Sequence, residues 1–445
     1  MNLLLREVLP ALVLDEGYAV AHLDLSAGGG LPSALPVNAL ACGSVAAAGL
    51  AGAALRGARR VSVDPLQVSV SFRNDQLQTV NGAHEPGFAP LSGFFEARDG
   101  WLRTHANYPH HRARLLRALG LGDRATREDA ASAIADRGAQ DLEDLVTADH
   151  GIAVRVRTSV EWMASQQAAA VSTHPLLAVR SVGSAPPLVA ADRPRVLDLT
   201  RVLAGPVATR ALAQLGCDVL RVDSPLLPEL AAIHLDTDSG KRSTLVDLQD
   251  EHARHRVHDL LAEADVLVTG YRPGALAAYG LDAERLAHQH PHLVCASLSA
   301  WTTSGPWGSR RGFDSIVQAA TGISLVESRD GTTPGALPAQ ALDHATGYLL
   351  AAGVLTALRR RAEEGGTWRV EAHLARTAHW LLQNDAVDEP VVPVDDIGPW
   401  TVGSETAYGH VVQARPAFAL DDSPREFAWV GRRYGADEPV WLGAA

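Results

Sequence analysis

The 445-residue chain is poor in cysteine, in positive charge and in long uninterrupted apolar runs, and each shortage excludes something. Its three cysteines, Cys42, Cys217 and Cys295, lie far apart and form no CxxC pair. A disulfide framework is therefore not expected, and a reducing, cytoplasmic setting is. The net charge of −12 speaks against nucleic acid as a partner, because phosphate-binding proteins carry a basic face. The N-terminal MNLLLREVLPALVLDEGYAV has early acids and no cleavage pattern, so it does not read as a signal peptide. Ala/Gly-rich stretches are interrupted before they reach bilayer length, and no membrane association is expected. Neither GxGxxG nor GxSxG occurs, which removes a dinucleotide fingerprint and a hydrolase nucleophile elbow. Lysine is scarce beside Ala, Arg, Asp and Gly, a GC-rich coding signature without functional content.

What is present points to two or three folding units, since a chain of this length exceeds one ordinary core. GSAPPLVAADRP (183–194) is the linker candidate. Before it, residues 81–182 read as a small α+β domain. SGFFEARDGWLRTH (92–105) predicts a hairpin about Asp99–Gly100, HHRARLLRALGL (110–121) a helix ending at glycine, and 126–146 and 158–170 further helices. After the linker, short apolar runs at 195–199, 218–223, 244–248, 265–270 and 293–300 alternate with helical stretches such as 207–216 and 251–264. That alternation predicts an α/β fold, a doubly wound, Rossmann-like parallel sheet over 195–385, with ligand contacts at the strands' carboxyl ends.

One segment occurs twice. LPVNALACGSVAAAGLAGAALRG (35–57) echoes LPAQALDHATGYLLAAGVLTALRRR (337–361), and each is followed by a strand–helix pattern ending in Asn-Asp. The region 1–80 thus reads as a degenerate copy of 335–385. Only the second copy holds an acid, Asp343, where the first has Ala41 or Cys42. Asp343 reads on its own first as a helix N-cap, since caps far outnumber nucleophiles, and second as a carboxylate kept ionised by the helix dipole and able to attack an activated acyl group. His105, His110 and His111 in THANYPHHRAR lack a cysteine or acid at ligand spacing, so no metal site is expected. GKRS (240–243) reads as a solvated turn or an anion contact.

Together VLDLTRVLAGPVATRALAQLGCDVLRVDSP (196–225), GKRSTLVDL (240–248), ADVLVTGYRPGALAAYGLD (264–282), PHLVCASLSAWTTSGPWG (291–308) and GFDSIVQAATG (312–322) resemble, in order, the class III CoA-transferases, the CaiB/BaiF family. The 337–361 segment resembles the stretch carrying that family's catalytic aspartate. FFEARDGWLRTH, 110–121, 157–171 and 172–183 resemble the family's small domain, which there follows the aspartate segment. The resemblance therefore implies a circularly permuted order, with 386–445 a tail returning to the large domain. It implies transfer of CoA from an acyl-CoA to a small carboxylic acid through aspartyl intermediates on Asp343, with no tightly bound cofactor and a homodimer as the assembly. It places CoA contacts at Leu203, Ala204, Lys241, Gly270, Tyr271, Arg272, Ser299, Ala300 and Trp301, and backbone N–H groups after Asp343 at the developing oxyanions. Departures from the family pattern fall at Ser224, Gly270–Tyr271 and SAWTTSG. The related α-methylacyl-CoA racemases use a histidine where this chain has Phe313, which cannot carry protons, leaving His344 as the only substitute for that alternative. A CoA-ester-binding pseudoenzyme or partner subunit is the other.

Overall fold

The computed structural model describes residues 2–189, 191–385, 391–392, 394, 396–421, 423 and 425–443. Residue 190 of the linker and several residues of the expected tail lie outside them. Seven strands form the main sheet: β1 (Ala178–Gly183), β2 (Arg195–Leu199), β3 (Asp218–Asp223), β4 (Arg242–Leu245), β5 (Val266–Thr269), β6 (Val294–Ser299) and β7 (Thr367–His373). Their order is β4-β3-β2-β5-β6-β7-β1. All neighbours are parallel except β7 and β1. The first apolar run after the linker, β2, thus lies inside the sheet next to the central strand β5, and the winding direction reverses between the two.

Continuous apolar runs form these strands because both faces are covered. Val196, Val266, Val268 and Val294 point into one core, Leu197, Leu199 and Leu267 into another on the opposite side. Strand β1 was expected inside the small domain. It instead closes the edge of the main sheet, pairing antiparallel with β7.

Four helices position the site: α1 (Val37–Arg56), α2 (Ala204–Gln214), α3 (Asp314–Thr321) and α4 (Ala341–Glu364). The two copies of the repeated segment form α1 and α4, which pack side by side and are buried through most of their lengths. Each copy continues as a strand and a helix, 61–63 and 65–72 after α1, β7 and 374–383 after α4. The strand at 61–63 sits in its own three-stranded sheet between 23–25 and 418–420. Both α1 and α4 are long and apolar enough to cross a membrane, contrary to the expectation that no segment is. Their windows are 89 % and 100 % buried within the protein, so the apolarity is used in the core.

The hairpin expected at 92–105 forms as Gly93–Ala97 and Gly100–Thr104, joined by Ala153–Arg155 in a small antiparallel sheet. Helices Pro109–Leu119, Arg127–Ala135 and Ala139–Ala148 pack on it around a separate apolar core. The single helices expected at 126–146 and 158–170 are each broken in two, by Gly138 and by the cap at Ser165.

Close approach of α2 and α4 requires Gly347. A Cβ there would lie 2.4 Å from the Ala204 carbonyl oxygen, which no rotamer change can relieve. Gly347→Ala is therefore expected to destabilise the fold by about 1–3 kcal/mol, exceeding the ~1 kcal/mol that alanine usually gains inside a helix. A urea midpoint equal to or above that of the wild type would contradict this.

Candidate active site

Loops after β2, β3, β5 and β6 meet at one end of the sheet, where the winding reverses, the place at which open parallel sheets bind ligands. Two cavities open there. A cleft of about 270 Å³ is lined by Leu203, Ala204, Gly270, Tyr271, Arg272, Ser299 and Ala300, seven of the expected CoA contacts. A second cavity of about 190 Å³ is lined by Asp75, Phe88, His105, Leu235 and Asp314, among others. Asp343, Val202, Leu203 and Phe313 line both.

The cleft is cationic. Arg201, Arg272, Arg310 and Arg311 lie on its wall. Burial first, then the neighbouring guanidinium groups of Arg272 and Arg114, pull Arg311 down to about 10. Crowded guanidinium groups of this kind call for an anion. Helix α2 opens on the same cleft with no side-chain cap, so its first-turn N–H groups and positive dipole end face it. The loop feeding α2 is strained: Val202, a β-branched residue, has φ +67°, a conformation costing about 1–3 kcal/mol. It is held by Glu229, whose Oε2 accepts the Val202 N–H at 3.0 Å and whose Oε1 accepts from the Tyr108 hydroxyl. A second strained non-glycine, Thr302 at φ +77°, follows β6.

Two expected contacts are not in the cleft wall. Lys241 is fully buried, with Nζ 3.2 Å from Asp198 and 3.7 Å from Asp238, so its charge is spent inside the fold. Trp301 is also buried, packed against Trp162 and Trp307, and its Nε1 donates to the Arg311 carbonyl at 3.1 Å. It supports the loop from behind.

Asp343 is 7 % exposed and sits in the first turn of α4, three residues past the N-cap rather than at it. The N-cap is Gln340. The Asp314 carboxylate accepts the Asp343 N–H at 3.0 Å and also the Leu342 N–H, and takes a further bond from Gln318. Asp314 thus caps α4 from outside. The His344 N–H is bonded to the Gln340 carbonyl at 3.1 Å. These first-turn donors are occupied, so the oxyanion role expected for N–H groups after Asp343 is not available to them; the uncapped N-terminus of α2 is the open set of donors.

The helix dipole was expected to keep Asp343 ionised. Instead burial, followed by the like charges of Asp314 and Asp75, raises it well above the usual carboxylate range. Burial likewise lifts Asp75 to about 7 and Asp314 to about 6. Sequence reading missed both partners. The signals were present: Asp75 ends the first Asn-Asp, and Asp314 is the acid of GFDSIVQAATG.

The histidine cluster is a packing unit. His105 stacks on Phe313 with ring centroids 3.8 Å apart, and His111 meets both edge-on. Burial, then Arg103, pulls His105 down to about 3, so it is neutral. His344 is fully buried against Phe72 and lines neither cavity, which removes it as the proton carrier of a racemase.

The chain matches the model of CoA-transferase family III over residues 41–194 and again over 192–408. It is 28 % identical over 330 residues to the acetyl-coenzyme A transferase nodX of Hypoxylon pulicicidum, covering 66 % of this chain and 55 % of that protein. It is 36 % identical over 184 residues to a probable fatty acyl-CoA transferase of Mycobacterium tuberculosis, covering 38 % and 47 %. It is 30 % identical over 192 residues to succinyl-CoA:glutarate CoA-transferase of Mus musculus, covering 40 % and 44 %. The chain spans about half the length of the curated relatives it matches.

Proposed function

The chain belongs to CoA-transferase family III, and from that we propose that it moves CoA from an acyl-CoA to a carboxylic acid through covalent intermediates on Asp343. The observation that carries the reading is the position of Asp343 where the arginine-lined cleft meets the second cavity. A thioester held with its CoA moiety along Leu203, Ala204, Gly270–Arg272 and Ser299–Ala300 presents its carbonyl carbon to that carboxylate.

The Asp343 carboxylate attacks the thioester carbonyl, forming a mixed anhydride and expelling CoA thiolate. The thiolate attacks the aspartyl carbonyl, releasing the acyl group as its carboxylate and leaving an aspartyl-CoA thioester. The acceptor carboxylate attacks that thioester to form a new anhydride and thiolate. The thiolate then attacks the acceptor's carbonyl, giving the new acyl-CoA and restoring Asp343. Each hard exchange is divided into two easier acyl transfers. The α2 N-terminus and the strained 200–204 loop stand where developing oxyanions are stabilised.

The strand order, which doubly wound sheets share, supports the Rossmann-like reading. Two family matches meeting at 192–194 support the permuted order, with the small domain preceding the catalytic half. A homodimer in a reducing cytoplasm completes the proposal; sedimentation of the purified chain checks the assembly. Incubation with an acyl-CoA and hydroxylamine, followed by peptide mass spectrometry, tests the chemistry. An aspartyl hydroxamate at Asp343 is expected, and an unmodified Asp343 during turnover would sink the mechanism.

The pH profile follows from the site. Only ionised Asp343 attacks, and its pKa is raised, so the acid limb of kcat/KM lies above the ordinary carboxylate range and activity falls as pH drops through it. Asp75→Asn removes one neighbouring negative charge, lowers the Asp343 pKa and moves that limb to lower pH. An unmoved limb in the variant's pH–rate profile would refute the coupling.

A further inference from the structure

The two cavities that meet at Asp343 differ in charge. The cleft carries four arginines, of which Arg201 and Arg310 are paired from behind with Glu229 and Glu143 and Arg272 and Arg311 supply its open charge. The 190 Å³ cavity is lined by no lysine or arginine among the described residues, while Asp75, Glu85, Asp314 and Asp343 all face it. Asp236, also on its wall, is balanced from behind by Arg210 at 2.8 Å and by the Asn74 amide. No such partner reaches Asp75, whose Oδ1 is buried without a hydrogen bond. The imidazole of His105 is neutral and stacked on Phe313, so it adds no positive charge. The remaining wall mixes apolar side chains, including Val80, Phe88, Leu235 and Phe313, with uncharged polar ones such as Gln78, Asn107 and Gln340, and the His84 imidazole sits at its exposed rim.

We infer that this cavity holds the acyl group and selects apolar monocarboxylic acids and their CoA esters, rejecting acyl groups with a second carboxylate. The inference rests on the transfer reading and deepens it to a substrate class. The reacting carboxylate approaches Asp343 at the junction, within reach of the cationic cleft and the α2 N-terminus. A second carboxylate further along the acyl chain has no such help. It loses its hydration among desolvated acids, with no lysine or arginine on the described wall to meet it. Selection here works through repulsion of the wrong substrate as much as through fit of the right one. Much of the wall, from Asp75 to Asn107, comes from the half of the chain before the linker, so specificity is carried by residues outside the catalytic half.

Butyryl-CoA and succinyl-CoA form a matched pair, because a four-carbon chain keeps its end within the cavity. Initial rates of the full chain at pH 7.5, with acetate as acceptor and CoA esters resolved by chromatography and mass spectrometry, give the ratio directly. The kcat/KM for butyryl-CoA is expected to exceed that for succinyl-CoA by at least about a hundredfold, since like-charge juxtaposition costs several kcal/mol. Asp75→Asn should narrow the ratio. So should Ala83→Arg, which places a cation on the cavity wall at an exposed position and disturbs no buried group. Equal rates for the two esters, or a ratio that neither variant changes, would overturn the inference while leaving the transfer mechanism standing. No turnover of either ester, with no hydroxamate at Asp343, would overturn the transfer reading and this inference with it.

Discussion

Replacing Asp343 with asparagine is expected to lower CoA transfer by at least about ten-thousandfold, the scale on which enzymes lose activity when a covalent nucleophile is removed. The amide has the shape of the carboxylate but neither its charge nor its nucleophilicity. It forms no anhydride, so every later step is lost with the first. Binding of CoA esters should persist, because the arginine-lined cleft and the α2 N-terminus do not depend on the side chain at 343. The fold should gain stability. A buried acid with a raised pKa favours the folded state less once pH exceeds its unfolded value, so the gain from Asp343→Asn grows as pH rises through the neutral range. Steady-state rates, calorimetry with acyl-CoA and urea unfolding test the three parts separately. A variant that keeps appreciable transfer would show that another group carries the acyl chain.

The second large effect lies behind the site. Arg221 is completely buried, with Nε 2.7 Å from Asp223, Nη1 2.8 Å from Asp238 and Nη2 3.1 Å from Glu229. Arg221→Met leaves three carboxylates in a low-dielectric interior with Lys241, Arg201 and the His234 imidazole beside them. Breaking a buried pair from one side costs about 3–5 kcal/mol, and unfolding in urea at neutral pH should show it. The pH dependence has a definite sign. Burial pushes Asp238 and Glu229 up, but Arg221, with Lys241 for Asp238 and Arg201 for Glu229, more than offsets it, and both lie below the usual range. They therefore stabilise the fold above their unfolded pKa and lose that contribution as pH falls through the folded values. Asp223 runs the other way, lifted by burial to about 6 despite Arg221. Without Arg221 all three rise, so the variant's deficit is greatest at neutral pH and shrinks as the acids protonate. Activity should fall too, because Glu229 holds the strained Val202 that lines both cavities. A midpoint unchanged at pH 7.5 would mean that the cluster reorganises around its loss.

Much of the frame was legible in the sequence. The runs at 195–199, 218–223 and 265–270 read as buried strands because a covered parallel sheet needs apolar side chains on both faces, and β2, β3 and β5 occupy them almost residue for residue. Boundaries were less legible. Helix α2 starts at Ala204, three residues before the expected 207, because Pro206 is tolerated in a helix's first turn. The strand at 178–183 looked local and proved long-range, since its partner β7 lies nearly two hundred residues away. Lys241 looked like an exposed cation after a turn; nothing in GKRS announces that Asp198 and Asp238 enclose it.

By itself the sequence determined the α/β pattern, the doubled segment and the acid at 343, because periodicity, repetition and residue type are local properties. Only the tertiary structure decided the state of that acid. Asp75, Asp314 and Asp343 are brought together from a repeat copy, a loop–helix start and a second repeat copy, and it is their shared burial that raises all three. Charge and desolvation act through space, and the sequence order of those residues carries no record of the distance between them.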